Sequence, residues 1–394
     1  MKIVHVISGL GSGGAEMMLY RLLGAWDCRN DDIEVVSLTD RGIFGEKIEQ
    51  LGFRVHALAM ARGRPSLRGV VRLRRWLRNG SPRLIQCWMY HADLIGGLAA
   101  KLAGNARVVW GIHNSVLDPR RSKRTTIWTA KSCAWLSHWL PERIVCCSRA
   151  ALRIHQAMGY EAAKMVVIPN GFDLSAFRPD PDARASVRSE LGISPEVVVI
   201  GLSARFDPQK DHQNFVRAAE LAKNAGTDAF FLLCGAGASW DNAELAGWIK
   251  SSGLEERFRL LGRREDMSRI TAALDIATSS SCYGEAFPLV VGEAMSCGVP
   301  CVVTDIGDSG FIVGDAGLVV PPKKPRALAD AWRELIRMGR VERSEWGRKA
   351  RQRIKEHFEL GAVAAHYERL YREVAPNRHP EELSDHSCPP SRRR

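Results

Sequence analysis

The 394-residue chain has no stretch of about 18 uninterrupted apolar residues, which excludes a bilayer-spanning helix. Its start, Met1-Lys2-Ile3-Val4-His5-Val6-Ile7-Ser8, has no signal-peptide core and reads as a short strand leading into glycines. Ten cysteines are too sparse for a disulfide scaffold. Their spacing (Cys146-Cys147, Cys297 to Cys301, Cys388 alone) fits no zinc or redox framework, so they read as reduced, buried thiols suited to a reducing cytosol. Acid is missing locally as well. Between Glu49 and Asp93 stand Arg62, Arg64, Arg68, Arg72, Arg74, Arg75, Arg78 and Arg83 with no Asp or Glu, and Arg120, Arg121, Lys123 and Arg124 form a second basic cluster. Residues 1–180 hold 26 Lys+Arg against 14 Asp+Glu, whereas residues 181–394 hold 30 of each, so the whole +12 excess lies in the first half. Such a half is drawn to phosphates, whether of nucleic acid, an anionic lipid surface or a phosphorylated substrate; the alternative is a solvated basic face without a partner.

What is present is an ordinary globular composition, 45% hydrophobic and 25% charged, long enough for two domains. Short apolar runs alternate with helical patterns: Ile3–Ile7, Ile33–Leu38, Phe53–Leu58, Leu84–Trp88, Val108–Ile112, Ile144–Cys147 and Met165–Ile168, then Val197–Leu202, Phe230–Leu233, Phe258–Leu261, Ile276–Thr278, Cys301–Val303 and Leu318–Val320. Continuous Val/Ile/Leu runs rather than strict alternation indicate strands buried on both faces of parallel sheets, hence an α/β chain. Glycine-rich turns open both halves, at Gly9–Gly14 and Gly201–Lys210, which predicts two doubly wound domains facing each other. The expected units are 1–178, 179–375 and a disordered tail, 376–394, with the break in the Pro/Gly-rich stretch before Pro195.

Three features carry chemistry. Gly9, Gly11 and Gly14 fit G-x-G-x-x-G between a strand and a helix, with Asp40 ending the next strand where a ribose-binding acid would sit. The physics is general: glycines admit phosphate to the backbone, and the helix start supplies amides and partial positive charge. Arg205 and Lys210 follow the strand that opens the second half, a guanidinium fork and a point charge suited to a diphosphate. In Gly284-Glu285-Ala286-Phe287-Pro288-Leu289-Val290-Val291-Gly292-Glu293, Pro288 favours a helix first turn, so Glu285 precedes the helix and Glu293 lies on it. Carboxylates accept paired sugar hydroxyls, and amides near Phe287 and Leu289 can meet phosphate oxygens.

Taken in order, these segments resemble the retaining glycosyltransferases of family 4, a GT-B group. Gly13-Gly14-Ala15-Glu16 is similar to that family's N-terminal glycine loop, Gly111-Ile112-His113-Asn114 to its histidine after a buried strand, and Val167-Ile168-Pro169-Asn170-Gly171-Phe172-Asp173 to its interdomain signature. Ser203-Ala204-Arg205-Phe206 through Gln209-Lys210 resembles its cationic loop, and Cys234-Gly235-Ala236-Gly237 and Leu261-Gly262 with Asp266 resemble the next two strand ends. Thr304–Ser309 and Ile312–Asp315 read like bacterial enzymes of capsule, exopolysaccharide or O-antigen synthesis; Ala286 departs from the family's usual glycine. The resemblance implies a GT-B fold whose last helix returns to the first domain, and a nucleotide-sugar donor without metal or cofactor. It assigns Arg205 and Lys210 to the diphosphate, Glu293 to the ribose and Glu285 to the transferring sugar. His113 falls near the reacting carbon, and Gly13, Gly14, Phe287, Pro288 and Leu289 against the donor phosphates. It implies a lipid-linked saccharide acceptor met at the inner face of the cytoplasmic membrane, and no nucleic acid. The competing readings are a NAD-dependent oxidoreductase built on the first glycine turn, and a non-catalytic basic nucleic-acid-binding module.

Three further patterns carry expectations. Asp180-Pro181-Asp182 mimics an acidic metal motif but falls in the linker. Trp128, Trp135 and Trp139, with His138, sit at helical spacing and read as a core stripe. Leu67, Val70, Leu73 and Leu77 form an apolar face opposite Arg68, Arg72 and Arg75, compatible with a membrane-surface helix.

Overall fold

Strands apolar on both faces need helices above and below, and the computed structural model has that arrangement twice. It describes residues 1–27, 31–61, 67–104, 106–115, 117 and 123–376; Arg62, Arg64, Arg120, Arg121 and the tail from 377 on, Cys388 included, lie outside the described residues. In the first half β1 (Lys2–Ile7), β2 (Asp32–Ser37), β3 (Arg54–Ala57), β4 (Leu84–Trp88), β5 (Arg107–Ile112), β6 (Arg143–Cys146) and β7 (Met165–Val167) form a parallel sheet in the order 3-2-1-4-5-6-7. In the second, β8 (Val198–Ser203), β9 (Ala229–Cys234), β10 (Phe258–Leu260), β11 (Ile276–Ser279), β12 (Cys301–Thr304) and β13 (Gly317–Val320) run parallel in the order 10-9-8-11-12-13. Each predicted apolar run is a strand. The order reverses beside β1 and beside β8, and at such switch points the carboxyl ends of the strands leave a crevice for ligand.

The first sheet is wrapped by α1 (Gly14–Gly24), α2 (Gly42–Gln50), α3 (Leu67–Gly80), α4 (Tyr90–Ala103), α5 (Arg124–Leu136) and α6 (Arg149–Ala157). The second carries α7 (Pro181–Glu190), α8 (His212–Asn224), α9 (Ala243–Ser251), α10 (Met267–Ala272), α11 (Leu289–Ser296), α12 (Ser309–Val313), α13 (Pro325–Arg337) and α14 (Gly339–His357). The last helix, α15 (Leu360–Val374), goes back: Val363, Tyr367, Leu370 and Tyr371 are buried in the core that α1 and α2 share with the first sheet. Tyr371 OH donates to Gln86 Oε1 of β4 at 3.1 Å. The chain thus crosses twice between domains, and the crossings pair with each other. Phe172 N donates to Phe358 O at 2.9 Å, and Leu360 N donates to Phe172 O at 3.0 Å. Core membership changes between Ile168, which packs with the first sheet, and Phe172, which packs with the second.

Two expectations are corrected here. The tryptophan stripe is not core: Trp128, Trp135 and Trp139 are 71%, 66% and 56% exposed. The side α5 buries is made of Thr129, Ala130, Cys133 and Ala134, small residues that bring it close to α4 and turn the large rings outward. The apolar face of α3 does not meet a membrane, because Val70, Leu73 and Leu77 are buried against Val4, Val36 and Ile85 of the sheet, leaving only Leu67 exposed. Asp180 acts as a helix cap, its carboxylate accepting from Ala183 N at 2.8 Å with Pro181 in the first turn of α7.

One close approach fixes α11 against the crossing strand. A Cβ on Gly292 would lie 2.0 Å from Cζ of Phe172, a fully buried ring stacked on Phe287 at 6.0 Å. Gly292→Ala is expected to lower the unfolding free energy by about 1–3 kcal/mol in urea denaturation. Combined with Phe172→Leu, it should cost less than the sum of the two single losses; strict additivity would contradict the contact.

Candidate active site

The site is built from the start of α11 outward. Pro288 precedes the helix and Gly298 (φ 71°) follows its end, so Glu285 lies in the entering loop and Glu293 on the second turn, as the sequence pattern predicts. The Glu285 carboxylate is buried and accepts from Ser281 Oγ at 2.7 Å and from Lys210 Nζ, with which it forms an ion pair. Lys210 reaches it because the turn after β8 folds back over the sheet end, where Ser280 Oγ donates to Lys210 O at 2.7 Å and Cys282 N to Gln209 O at 2.9 Å. Phe287 and Ala286 are buried beneath the helix start.

Arg205 stands apart from that pair. It is 60% exposed, and its Nε donates to Asp207 Oδ2 at 3.2 Å. Burial would raise the Asp207 pKa, but the Gln209 amide, the Arg205 guanidinium and the Lys210 charge together hold it below the usual carboxylate range. Both cations therefore flank one carboxylate, although only Lys210 touches the glutamate. Behind them the turns after β8, β9 and β10 interlock: Ala204 N donates to Cys234 O at 2.8 Å and Gly235 N to Gly262 O at 2.7 Å. Gly235 (φ 150°) has no room for a side chain, since a Cβ there would meet Ala204 O at 2.1 Å.

The first domain supplies the opposite wall. Gly13 caps α1, and a Cβ on Gly14 would lie 4.0 Å from Leu289 Cδ1, so the starts of α1 and α11 face each other. Two helix N-termini converging on one place concentrate amide donors and positive potential there, a setting for an anion. His113, just past β5, stacks on Trp88 with ring centroids 4.9 Å apart. Its two ring nitrogens are shut off from solvent and have no hydrogen-bond partner among the described residues. Burial lowers its pKa to about 4, so the ring is neutral near pH 7.

Several residues that bind the two halves together were not legible in the sequence. Arg21 of α1 forms an ion pair with Glu293, both largely buried. Ser115 Oγ donates to the carbonyl of Glu285. The Asp308 carboxylate, at the start of α12, accepts from Arg149 N at 2.7 Å and Ala150 N at 2.8 Å, capping α6 of the other domain. Arg149 also lies over the Phe311 ring at 3.9 Å. Such pairings join positions more than 150 residues apart, which local pattern does not reveal; only Ser281, four residues before Glu285, could have been found by spacing. Among the described residues no three His, Cys, Asp or Glu side chains converge as a metal-ligand set.

Residues 12–176 match the family described as Glycosyltransferase Family 4, and residues 195–338 match that described as Glycosyl transferases group 1. The chain belongs to the family 4 glycosyltransferases and has their GT-B fold, which sets aside the oxidoreductase and nucleic-acid readings. It is 25% identical over 312 residues to EpsF of Bacillus subtilis (strain 168), named as a glycosyltransferase, across 77% of this chain and 79% of EpsF. It is 25% identical over 257 residues to the UDP-Gal:alpha-D-GlcNAc-diphosphoundecaprenol alpha-1,3-galactosyltransferase of Escherichia coli, across 63% of this chain but only 64% of that enzyme. Anabaena Alr3699/HepE, solved in complex with UDP, superposes with a TM-score of 0.83 at 23% identity over 95% of this chain and 100% of that one.

The buried imidazoles make stability depend on pH. The His113 pKa falls to about 4 and that of His5, whose Nδ1 accepts from Trp88 Nε1 at 3.1 Å, to about 3, both through burial. Below pH 6.5 the unfolded chain takes up protons that the folded one refuses. Stability is therefore full above about pH 6.5 and lost as the pH falls toward 4, by up to about 3 kcal/mol for His113. Denaturant titrations across that range should show the loss, and His113→Gln should flatten part of it; an unchanged slope would contradict a buried neutral ring.

Proposed function

We propose that this glycosyltransferase moves a hexosyl group from a uridine diphosphate sugar to a hydroxyl of a lipid-linked saccharide, with retention at the anomeric carbon, in bacterial capsule, exopolysaccharide or lipopolysaccharide synthesis. The observation that carries the reading is the Lys210–Glu285 pair at the start of α11, facing the start of α1 across the cleft. The galactosyltransferase relative is named for a UDP-Gal donor and a diphosphoundecaprenol-linked acceptor, and Anabaena HepE was solved with UDP and with UDP-glucose.

In this reading Lys210 and Arg205 hold the diphosphate, with amides beside Phe287, Pro288 and Leu289 on one side and Gly13 and Gly14 on the other. Glu293 exchanges its Arg21 partner for ribose hydroxyls, and Glu285 takes hydroxyls of the sugar, with His113 close to the reacting carbon. The bond from the anomeric carbon to the β-phosphate oxygen breaks, and the acceptor oxygen bonds to that carbon from the same face. The acceptor proton passes to the departing phosphate oxygen, so no protein nucleophile is required. Negative charge gathers on the leaving oxygen, where fixed cations and amides stabilise the transition state more than the ground state. That charge is met by side chains and backbone, so the chemistry calls for neither metal nor cofactor. Closure of the domains would exclude water and limit donor hydrolysis.

No helix of the described residues is long and apolar enough to cross a membrane. With a lipid-linked acceptor, the enzyme works as a peripheral protein on the inner face of the cytoplasmic membrane, held there by the basic first domain.

Lys210→Ala is expected to cut turnover by about 10²–10³-fold, the scale of losing one preorganised charge-stabilising donor. Glu293→Ala should instead weaken donor affinity, read by calorimetry with UDP-hexoses, and lower the melting temperature because it leaves the Arg21 guanidinium buried without its partner. Full activity in the first variant, or wild-type affinity in the second, would refute the assigned roles. The anomer formed, read by proton NMR of the product, tests retention independently.

A further inference from the structure

Helices α3, α4 and α5 lie side by side on the face of the first sheet away from α1, α2 and α15. Their outer surface combines two properties that water alone does not explain. It carries large apolar groups: Trp128, Trp135 and, just beyond α5, Trp139 are more than half exposed, as are Leu102 at the end of α4 and Leu67 at the start of α3. Trp135 and Trp139 meet edge to face with centroids 4.8 Å apart, so the rings form a cluster rather than isolated excursions. Exposed contiguous apolar groups of this kind mark an interaction site.

The helices of the same surface carry cations and almost no acid; Glu161, outside the three helices, is paired at 2.6 Å with His138 beside Trp139. Across residues 67–80, 90–103 and 124–139 the only carboxylate is Asp93, which is fully buried. Against it stand the exposed Arg68, Arg72, Arg75 and Arg78 of α3, Lys101 of α4, and Arg124 and Lys131 of α5. Lys131 lies between Trp128 and Trp135 on the outward side of one helix. Tryptophan rings settle at the headgroup level of a bilayer, and Lys and Arg beside them meet anionic headgroups. A second copy of the chain fits poorly, because a two-fold contact would press this positive face onto itself. The first turn of α5 also follows β5 and His113, which puts it at the sheet edge where the cleft opens.

We propose that the outer face of α3–α5 is a docking surface for an anionic lipid bilayer, with Trp128, Trp135 and Trp139 set into the headgroup layer and the surrounding Lys and Arg against the lipid charges. It replaces the apolar face of α3, which is core, as the contact with the membrane. Its purpose rests on the lipid-linked acceptor reading, but its test does not.

The full chain is sedimented with vesicles of phosphatidylcholine alone and of phosphatidylcholine mixed with phosphatidylglycerol. The wild type should bind the mixed vesicles and be released by salt. The triple variant Trp128→Ser, Trp135→Ser, Trp139→Ser should bind about tenfold or more weakly. Arg124→Glu with Lys131→Glu should also lose binding, but only on the anionic vesicles. In the wild type, brominated lipid should quench tryptophan fluorescence, a readout that needs no variant. Transfer to a water-soluble acceptor should be unchanged in the triple variant, since none of these rings lies in the cleft. Equal vesicle binding by wild type and triple variant would overturn the proposal, as would a wild-type dimer that the triple variant converts to monomer. Preference for an acidic protein over anionic vesicles would overturn it too. If vesicle binding behaves as expected while no lipid-linked saccharide is glycosylated, the docking surface stands and the acceptor reading falls.

Discussion

The cleft depends on one placement of charge, the Lys210 ammonium against the Glu285 carboxylate at the start of α11. An ion held away from water is costly unless paired, and removing one member of a buried pair typically costs about 3–5 kcal/mol. The pair, with Ser281 as a second donor to the carboxylate, therefore holds both side chains in place before a donor arrives. A sugar diphosphate carries complementary groups at neighbouring positions, phosphate for the ammonium and hydroxyls for the carboxylate. Arg21 and Glu293 repeat this logic between the domains, the guanidinium holding the carboxylate proposed for the ribose.

That placement would be idle without a second wall at fixed distance. The paired crossings at Phe172 and Glu359, the return of α15 to the first core and the capping of α6 by Asp308 register the two sheets against each other. The contacts next to the site are mostly polar and few, which is how domains that must part to admit a donor are joined. Apart from α15, which is built into the first core, and Cys147, which packs with the second, the apolar side chains of each half pack within its own layers.

Much of this was legible in the sequence because the signals were local. Buried parallel strands write themselves as unbroken Val/Ile/Leu runs, and the Pro288-to-Gly298 bracket located α11 and set its two glutamates on loop and helix. Orientation was harder. Trp128 and Trp135 have the spacing of a core stripe, yet periodicity reports only that residues share a side of a helix, not which side is buried. Ala130, Cys133 and Ala134 on the opposite side settle it, because small residues let α5 close on α4. For α3 the sequence showed the amphipathic face but not its neighbour, which is the sheet and not lipid. Arg21, Ser115 and Asp308 were illegible, since each acts on a residue in the other half of the chain.

The most direct measurement compares UDP with uridine by calorimetry, in the wild type and in Lys210→Ala. If the diphosphate is seated by the ammonium between the two helix starts, UDP should bind the wild type at least about tenfold more tightly than uridine, and that advantage should largely disappear in the variant. Equal affinity for UDP and uridine in the wild type, or an advantage untouched by the substitution, would contradict it.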